Sequence, residues 1–339
     1  MPSRPATFGA SAQLVPAISR KARLHVVTGK GGTGKTTVAA ALALALSTGG
    51  KKVLLIEVEG RQAIAQLFDQ PALPYEERRL ASTPGGGSLW GLAIDAEQAM
   101  IEYLDMFYGL KRSARSLKKM GAVDFVTTLA PGLRDVLLTG KVKEAVTRTE
   151  SDGHHTYDAI VLDAPPTGRI TRFLDATKEV ASLTKIGPIN RQSDGVIKVL
   201  HGNQTAVHLV TLLEEMPVQE TIDAVGDLTR NGFEVGAILV NRARPNYIDA
   251  GMLGEGNTVD VKALGAGLRR ANLAPSLAAA MATEMTEYAN RLELQAENLA
   301  RLDAVDVPRI TLPDLIPPVE LGELNELATC FLVESKDAG

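Results

Sequence analysis

Thr28-Gly29-Lys30-Gly31-Gly32-Thr33-Gly34-Lys35-Thr36-Thr37 follows a short apolar run, Leu24 to Val27, and opens a helix-forming run, Val38 to Leu46. Strand, glycine loop, then helix is the context a phosphate-binding P-loop requires. The glycines let backbone N–H groups turn inward toward an anion, and the helix adds its positive N-terminal end. The spacing Gly29-x4-Gly34-Lys35-Thr36 completes the motif. Lys35 would reach the outer phosphates, and the Thr36 hydroxyl would ligate Mg²⁺. The whole run Gly29, Lys30, Gly31, Gly32, Thr33, Gly34, Lys35, Thr36 and Thr37 is therefore a candidate nucleotide-binding site. Lys30 is a second cation that the loop itself does not need. It is placed to face a neighbouring subunit's phosphate, as an arginine finger does when supplied in trans.

The chain is α/β. Strand Leu24–Val27, helix Lys35–Ser47 and strand Val53–Ile56 make a right-handed parallel unit of about 30 residues. Glu57-Val58-Glu59-Gly60-Arg61-Gln62 lies at the carboxyl end of the second strand, where ligands of open parallel sheets bind. A carboxylate there can position the attacking water or hold metal-bound water. Glu59 is the first choice and Glu57 the reserve; an acid opening the next helix is the competing explanation. Tyr157 to Leu162 reads as a buried strand ending in Asp163, followed by Ala164-Pro165-Pro166-Thr167-Gly168-Arg169. That is a Walker B arrangement, with Asp163 on the Mg²⁺ and a loop able to move with the γ-phosphate. His25, inside the first strand, reads as a satisfied core group.

Further along, residues 69–88 read as loop, Leu89–Ile94 as a strand, and Asp95 with Gln98 as a capping box opening a helix to Leu110. The basic run Lys111 to Lys119 suits a solvated face, or an acidic partner or membrane surface. Helices are expected at Leu133–Arg148, Ile170–Val180, Asn203–Glu214 and from Pro217, with breaks at Gly187-Pro188 and Ser193-Asp194-Gly195. Val235–Val240 reads as a strand ending at Asn241-Arg242, and residues 243–275 as loop-rich. A long helix follows to Leu302, then a strand Val307–Leu312 and a helix from Glu320 to about Leu332. The expected architecture is one doubly wound, mostly parallel P-loop domain over residues 22–335. Helical insertions at about 95–150 and 170–220 form a subdomain, and residues 1–21 are a flexible tail.

Composition narrows the classes. At 339 residues and 45% hydrophobic, the chain has enough apolar surface for a large core. A formal charge of −4 leaves no electrostatic footprint for nucleic acid. The single cysteine, Cys330, excludes an intrachain disulfide or a Cys-x-x-Cys zinc clamp and suits a reducing cytosol. No apolar stretch is long enough to span a membrane.

These residues together resemble the ArsA / guided-entry-of-tail-anchored-proteins ATPase family, the deviant Walker A branch. The resemblance rests on the Lys-Gly-Gly-x-Gly-Lys-Thr loop, the run Asp163-Ala164-Pro165-Pro166-Thr167-Gly168-Arg169-Ile170-Thr171-Arg172-Phe173-Leu174, and Ile238-Leu239-Val240-Asn241-Arg242. The second run is similar to the family's Asp-Thr-Ala-Pro-Thr-Gly-His signature. The resemblance implies MgATP as ligand, Asn241 with Arg242 at the adenine, Pro313-Asp314 opening a second adenine-side loop, and a dimer closed by ATP across which Lys30 acts. Two departures matter. The family's hydrolytic Asp-Pro-Ala-His-Asn is Glu59-Gly60-Arg61-Gln62-Ala63 here, which predicts slow hydrolysis, since misplacing a water by about 1 Å costs on the order of 100-fold. The zinc-clamp and arsenite-binding cysteines are absent, which argues against arsenite efflux. The chain is a single half and is similar to paired actinobacterial members, which implies a homo-dimer or a hetero-dimer with a paralog. A cytoplasmic location, with peripheral membrane contact, follows. A membrane-protein client would need a Met-rich groove, and Met100, Met106 and Met120 lie in the first insertion.

Overall fold

β2 (Leu24–Gly29) is the centre of the molecule, a six-residue strand buried along its whole length. In the computed structural model, residues 12–18, 22–108, 132–183, 188–315 and 317–334 are described. The run 111–119 and Met120 lie outside them.

β2 is flanked by β6 (Ala159–Asp163) on one side and β7 (Thr205–Thr211) on the other. With β3 (Lys52–Glu57), β4 (Arg78–Thr83), β5 (Gly87–Ala93), β8 (Val235–Ala243) and β9 (Arg309–Pro313) they form an eight-stranded sheet ordered β4-β5-β3-β6-β2-β7-β8-β9. All neighbours are parallel except β4, which runs antiparallel along β5. The sheet is doubly wound and mostly parallel, as expected. The chain leaves β2 toward β3 and later fills the other side, so β2 marks the switch point at which such sheets bind ligands.

Both faces of the sheet are covered, which is why its strands read as unbroken apolar runs. Side chains alternate across it. Val26, Leu54, Ile56 and Leu162 face one apolar cluster, while Val27, Val53, Leu55 and Val161 face the other. The second cluster encloses α1 (Lys35–Leu46), which is buried on nearly every side, and α10 (Leu321–Thr329) beyond it. The first is roofed by α3 (Ala96–Tyr108), α4 (Leu133–Thr147), α5 (Thr167–Leu183), α6 (Pro188–Leu200) and α7 (Glu215–Arg230). The remaining helices are α2 (Ala63–Leu67), α8 (Val261–Arg270) and α9 (Ala278–Arg301). Asp95 caps α3 as expected, accepting from the Gln98 N–H at 2.9 Å. Met100 of the same helix is buried in the core. No helix among the described residues is long and apolar enough to cross a membrane.

Five expectations are corrected. Residues 203–214 hold the central strand β7, not a helix. Its seven residues are all buried, and a strand buried on both faces loses the period-two alternation that would identify it. The second insertion is therefore interrupted by a core strand. β4 stands where loop was expected, because an edge strand with exposed Arg78 and Arg79 carries little apolar signal. α6 runs straight through Ser193-Asp194-Gly195, and α8 stands inside the supposed loop region. Finally, part of the supposed N-terminal tail is built into the fold: β1 (Ala12–Leu14) pairs antiparallel with β10 (Leu332–Glu334), and Ile18 is buried.

Candidate active site

The P-loop turns at Gly32 and Gly34, both at positive φ (88° and 84°), a conformation that glycine adopts without a Cβ penalty. Gly34 is also the N-cap of α1, and no side chain caps that end. The first N–H groups of α1 are thus left for an incoming anion. Two close approaches fix the loop in place. A Cβ on Gly29 would lie 2.2 Å from the Val210 carbonyl oxygen of β7, and one on Gly34 would lie 2.5 Å from Asn241 Nδ2. Thr33 is buried and its hydroxyl donates to the Lys30 carbonyl at 2.9 Å.

Lys35 is largely buried, with Nζ 3.5 Å from the Lys30 carbonyl. Burial lowers its pKa, opposed by the negative fields of Asp163 and Glu59. Thr36 Oγ1 donates to Asp163 Oδ2 at 2.6 Å. Loop and Walker B strand, separated by 127 positions in sequence, thus meet as the motif requires. Asp163 is buried, and that burial pushes its carboxyl up to about 6 against the Thr36 bond and Lys35. Its other oxygen, Oδ1, has no hydrogen-bond partner. A hydroxyl, a buried carboxylate and an orphaned carboxylate oxygen at the mouth of a phosphate loop fit Mg²⁺. That ion uses one or two protein ligands and takes the rest from phosphate and water.

The two acids after β3 have separated roles. Glu57 is buried, and its oxygens accept the N–H groups of Gln62 (2.6 Å) and Ile64 (3.2 Å). It pins the loop and the start of α2. Gln62, at positive φ, is strapped further by exchanging hydrogen bonds with the Leu73 backbone. Glu59 is partly exposed, with Arg61 at 3.5 Å, and its negative charge is felt at Lys35 of the P-loop.

Asn241 is buried at the end of β8 and donates to the Thr33 carbonyl at 2.8 Å, bracing the P-loop from behind. Arg242 Nε reaches Asp314 Oδ1 at 2.9 Å, and the Asp314 N–H donates to the Ala243 carbonyl at 3.0 Å. Asn241, Arg242, Pro313 and Asp314 therefore gather at the carboxyl ends of β8 and β9, beside the P-loop. Lys30 points the other way, to Glu220 of α7 at 2.6 Å. Thr37 is half-buried in the first turn of α1.

Sequence reasoning missed three features here. Thr28 Oγ1 donates to the Pro165 carbonyl at 2.6 Å, tying β2 to the loop after Asp163. Arg134 and Asp135, which read only as the start of a helix, lie with Arg61 and Arg169 beside Glu59. Glu220 carried no signal, because its partner is 190 positions away.

Residues 22–203 match the family model described as anion-transporting ATPase. The chain is 54% identical over 311 residues to ATPase BagA of Mycobacterium tuberculosis (strain ATCC 25618 / H37Rv), covering 90% of this chain and 91% of that protein. It is equally similar, over the same shares, to "Putative ATPase Mb3704" of Mycobacterium bovis (strain ATCC BAA-935 / AF2122/97). A more distant relative, "Putative arsenical pump-driving ATPase 2" of Aquifex aeolicus, is 23% identical over 252 residues, 66% of this chain and 81% of that one.

Proposed function

The chain belongs to the anion-transporting ATPase family, and from that premise we propose that it is a MgATP-dependent, slowly hydrolysing ATPase whose nucleotide state opens and closes a dimer, and so controls a client or partner protein. The observation that carries the nucleotide half is the 2.6 Å bond between Thr36 and Asp163 at the mouth of an intact P-loop.

The chain's own residues divide the work. Lys35 and the loop N–H groups hold the phosphates, and Thr36 with Asp163 holds Mg²⁺. Bound there, the ion would supply positive charge against the negative charge that develops on the transferred phosphoryl group. Glu59 orients the attacking water. Its extra methylene relative to aspartate, and its pairing with Arg61, make that orientation imperfect and the reaction slow. Asn241, Arg242, Pro313 and Asp314 form the adenine side. Lys30 acts across the dimer, on the nucleotide of a second copy or of a paralog. ATP and ADP then shift the dimer only to the extent that they bind its two states differently.

The pump-driving activity named for the Aquifex relative is not carried over. Cys330 is a lone, half-buried thiol whose pKa burial raises, so it supplies neither three thiolates nor a ready one. A targeting role for membrane proteins is the second reading, and a cytosolic place with peripheral membrane contact suits both. Titration calorimetry with MgATP and a phosphate-release assay test the proposal. Saturable binding with slow turnover that rises with protein concentration is expected, and absence of nucleotide binding overturns it.

A further inference from the structure

Between the two loops that face the nucleotide lies a cavity of about 90 Å³. The loop after β3 contributes Glu59 and Arg61, the loop after β6 contributes Arg169, and the first turn of α4 contributes Arg134 and Asp135. Three guanidinium groups thus meet two carboxylates. Both ion pairs are slack: Arg61 to Glu59 is 3.5 Å and Arg169 to Asp135 is 3.6 Å. Elsewhere in the same site Lys30–Glu220 closes to 2.6 Å and Arg242–Asp314 to 2.9 Å. Arg61 and Arg169 lie inside the two signature runs, but neither has been given a task in binding nucleotide or metal. They stand where the resembling signatures have alanine and histidine.

We propose that Arg61, Arg134 and Arg169 form a receiving site for inorganic phosphate, set between the two nucleotide-facing loops and α4. The proposal rests on the ATP-hydrolysing reading, because the site would take that reaction's product. Size agrees with the ligand: the cavity, about 90 Å³, is of a size for one small oxyanion and small beside a nucleotide. Chemistry agrees, since the planar guanidinium fork matches two phosphate oxygens at once. Position agrees too. Glu59 lines the cavity, and Lys35 of the P-loop feels both Glu59 and Arg61, so the space adjoins the γ-phosphate end of the nucleotide site. Burial raises the pKa of the Asp135 carboxyl, opposed by the charges of Arg169, Arg134 and Arg172.

Phosphate entering the cavity competes with Glu59 and Asp135 for their arginines. Asp135 lies in the first turn of α4, which is itself one of the roof helices packed on the first apolar cluster. Product occupancy is thereby transmitted from the hydrolytic loop to the helices above the sheet, after cleavage and before release.

The test is a phosphorus NMR titration of the full chain with inorganic phosphate, with chloride at equal ionic strength as control. It is run in a Lys35→Ala background to silence the P-loop. A single phosphate per chain is expected to remain. Its affinity should fall about tenfold in Arg134→Ala and in Arg169→Ala, the loss of one charge-assisted pair, with partial recovery in Arg169→Lys. Absence of phosphate binding in the Lys35→Ala chain overturns the site, as does binding that neither arginine substitution weakens. If Lys35→Ala does not fold, phosphate stoichiometry decides instead: two per wild-type chain supports the site, one insensitive to Arg134→Ala overturns it. A wild-type chain that ignores MgATP would refute the ATPase reading and leave this titration still decisive for the cavity.

Discussion

Lys30 Nζ lies 2.6 Å from Glu220 Oε1 of α7, with both side chains about one-third exposed (32% and 37%). The lysine proposed to act on a neighbour's nucleotide is therefore held within its own chain. An exposed pair of this kind contributes roughly 0–1 kcal/mol. Glu220 restrains Lys30 without locking it. Glu220→Gln is expected to raise turnover at a fixed protein concentration by up to about fivefold, the equivalent of 1 kcal/mol. Lys30→Ala should preserve MgATP affinity and suppress turnover. Steady-state rates measured across a protein-concentration series check both, and turnover unchanged in Lys30→Ala refutes the trans role.

Gly29 and Gly31 separate the structural and binding demands on one loop. A Cβ on Gly29 meets a backbone oxygen at 2.2 Å, which cannot yield as a side chain would, whereas a Cβ on Gly31 meets nothing within 4 Å. Gly29→Ala should destabilise the chain by about 2 kcal/mol or more, as overpacking does. Gly31→Ala should leave the urea midpoint where it is. Equal midpoints for the two variants would contradict the packing.

What the sequence made legible follows from where each signal originates. β2, α1 and β6 could be read because their apolar runs adjoin glycine and acidic residues of fixed spacing, so local pattern and chemistry point the same way. β7 could not: Thr205-Ala206-Val207-His208-Leu209-Val210-Thr211 is buried on both faces and its period is hidden. α8 carried a signal that went unused. Asp260 caps it by accepting from the Lys262 and Ala263 N–H groups, but Gly265 and Gly267 inside it suggest loop. The P-loop residues were legible one by one. Arg134 was not, because α4 delivers it to Glu59 from 75 positions away.

His25 gives the fold a pH dependence. It is buried at the centre of β2, its Nδ1 3.0 Å from His208 Nε2, with the two rings stacked. Burial lowers its pKa to about 4 from 6.5. Between those values the native state binds fewer protons than the unfolded chain, so stability rises with pH across the window and is lost as pH falls through it. The full loss is about 3 kcal/mol, from 1.36 kcal/mol per pKa unit. Urea denaturation at pH 7.5 and 4.5 should show most of it. In His25→Gln the difference should shrink; an unchanged slope would mean that other groups carry it.

Asp163 sets stability against function. Its carboxylate is buried with one oxygen unsatisfied, a costly arrangement in the absence of a cation. Asp163→Asn keeps a carbonyl oxygen for the Thr36 hydroxyl and removes the charge. The nucleotide-free variant should melt higher than wild type, by about 1–3 kcal/mol in stability. Mg²⁺-dependent ATP binding should be lost. Thermal melts with and without MgATP give both readings, and a variant that melts lower without nucleotide contradicts the burial argument.

Glu57 ends β3 and Glu59 stands two positions on in the loop that follows, and a single substitution in each distinguishes their tasks. Glu57 has both oxygens committed to the Gln62 and Ile64 N–H groups, so Glu57→Gln leaves a buried N–H facing an amide nitrogen or forces the loop to shift. The expected result is a lower melting temperature, from a loss of about 1–3 kcal/mol. Glu59 is partly exposed and its ion pair with Arg61 is slack, so Glu59→Gln should leave the melting temperature unchanged. Its effect should fall on kcat, by about 100-fold or more for a lost water-positioning carboxylate, with the MgATP dissociation constant unaltered. The split between kcat and melting temperature is the measurement. If Glu57→Gln abolished turnover while the fold and binding held, and Glu59→Gln did not, the hydrolytic carboxylate would be Glu57 and the loop would have to release it from two backbone donors before each turnover.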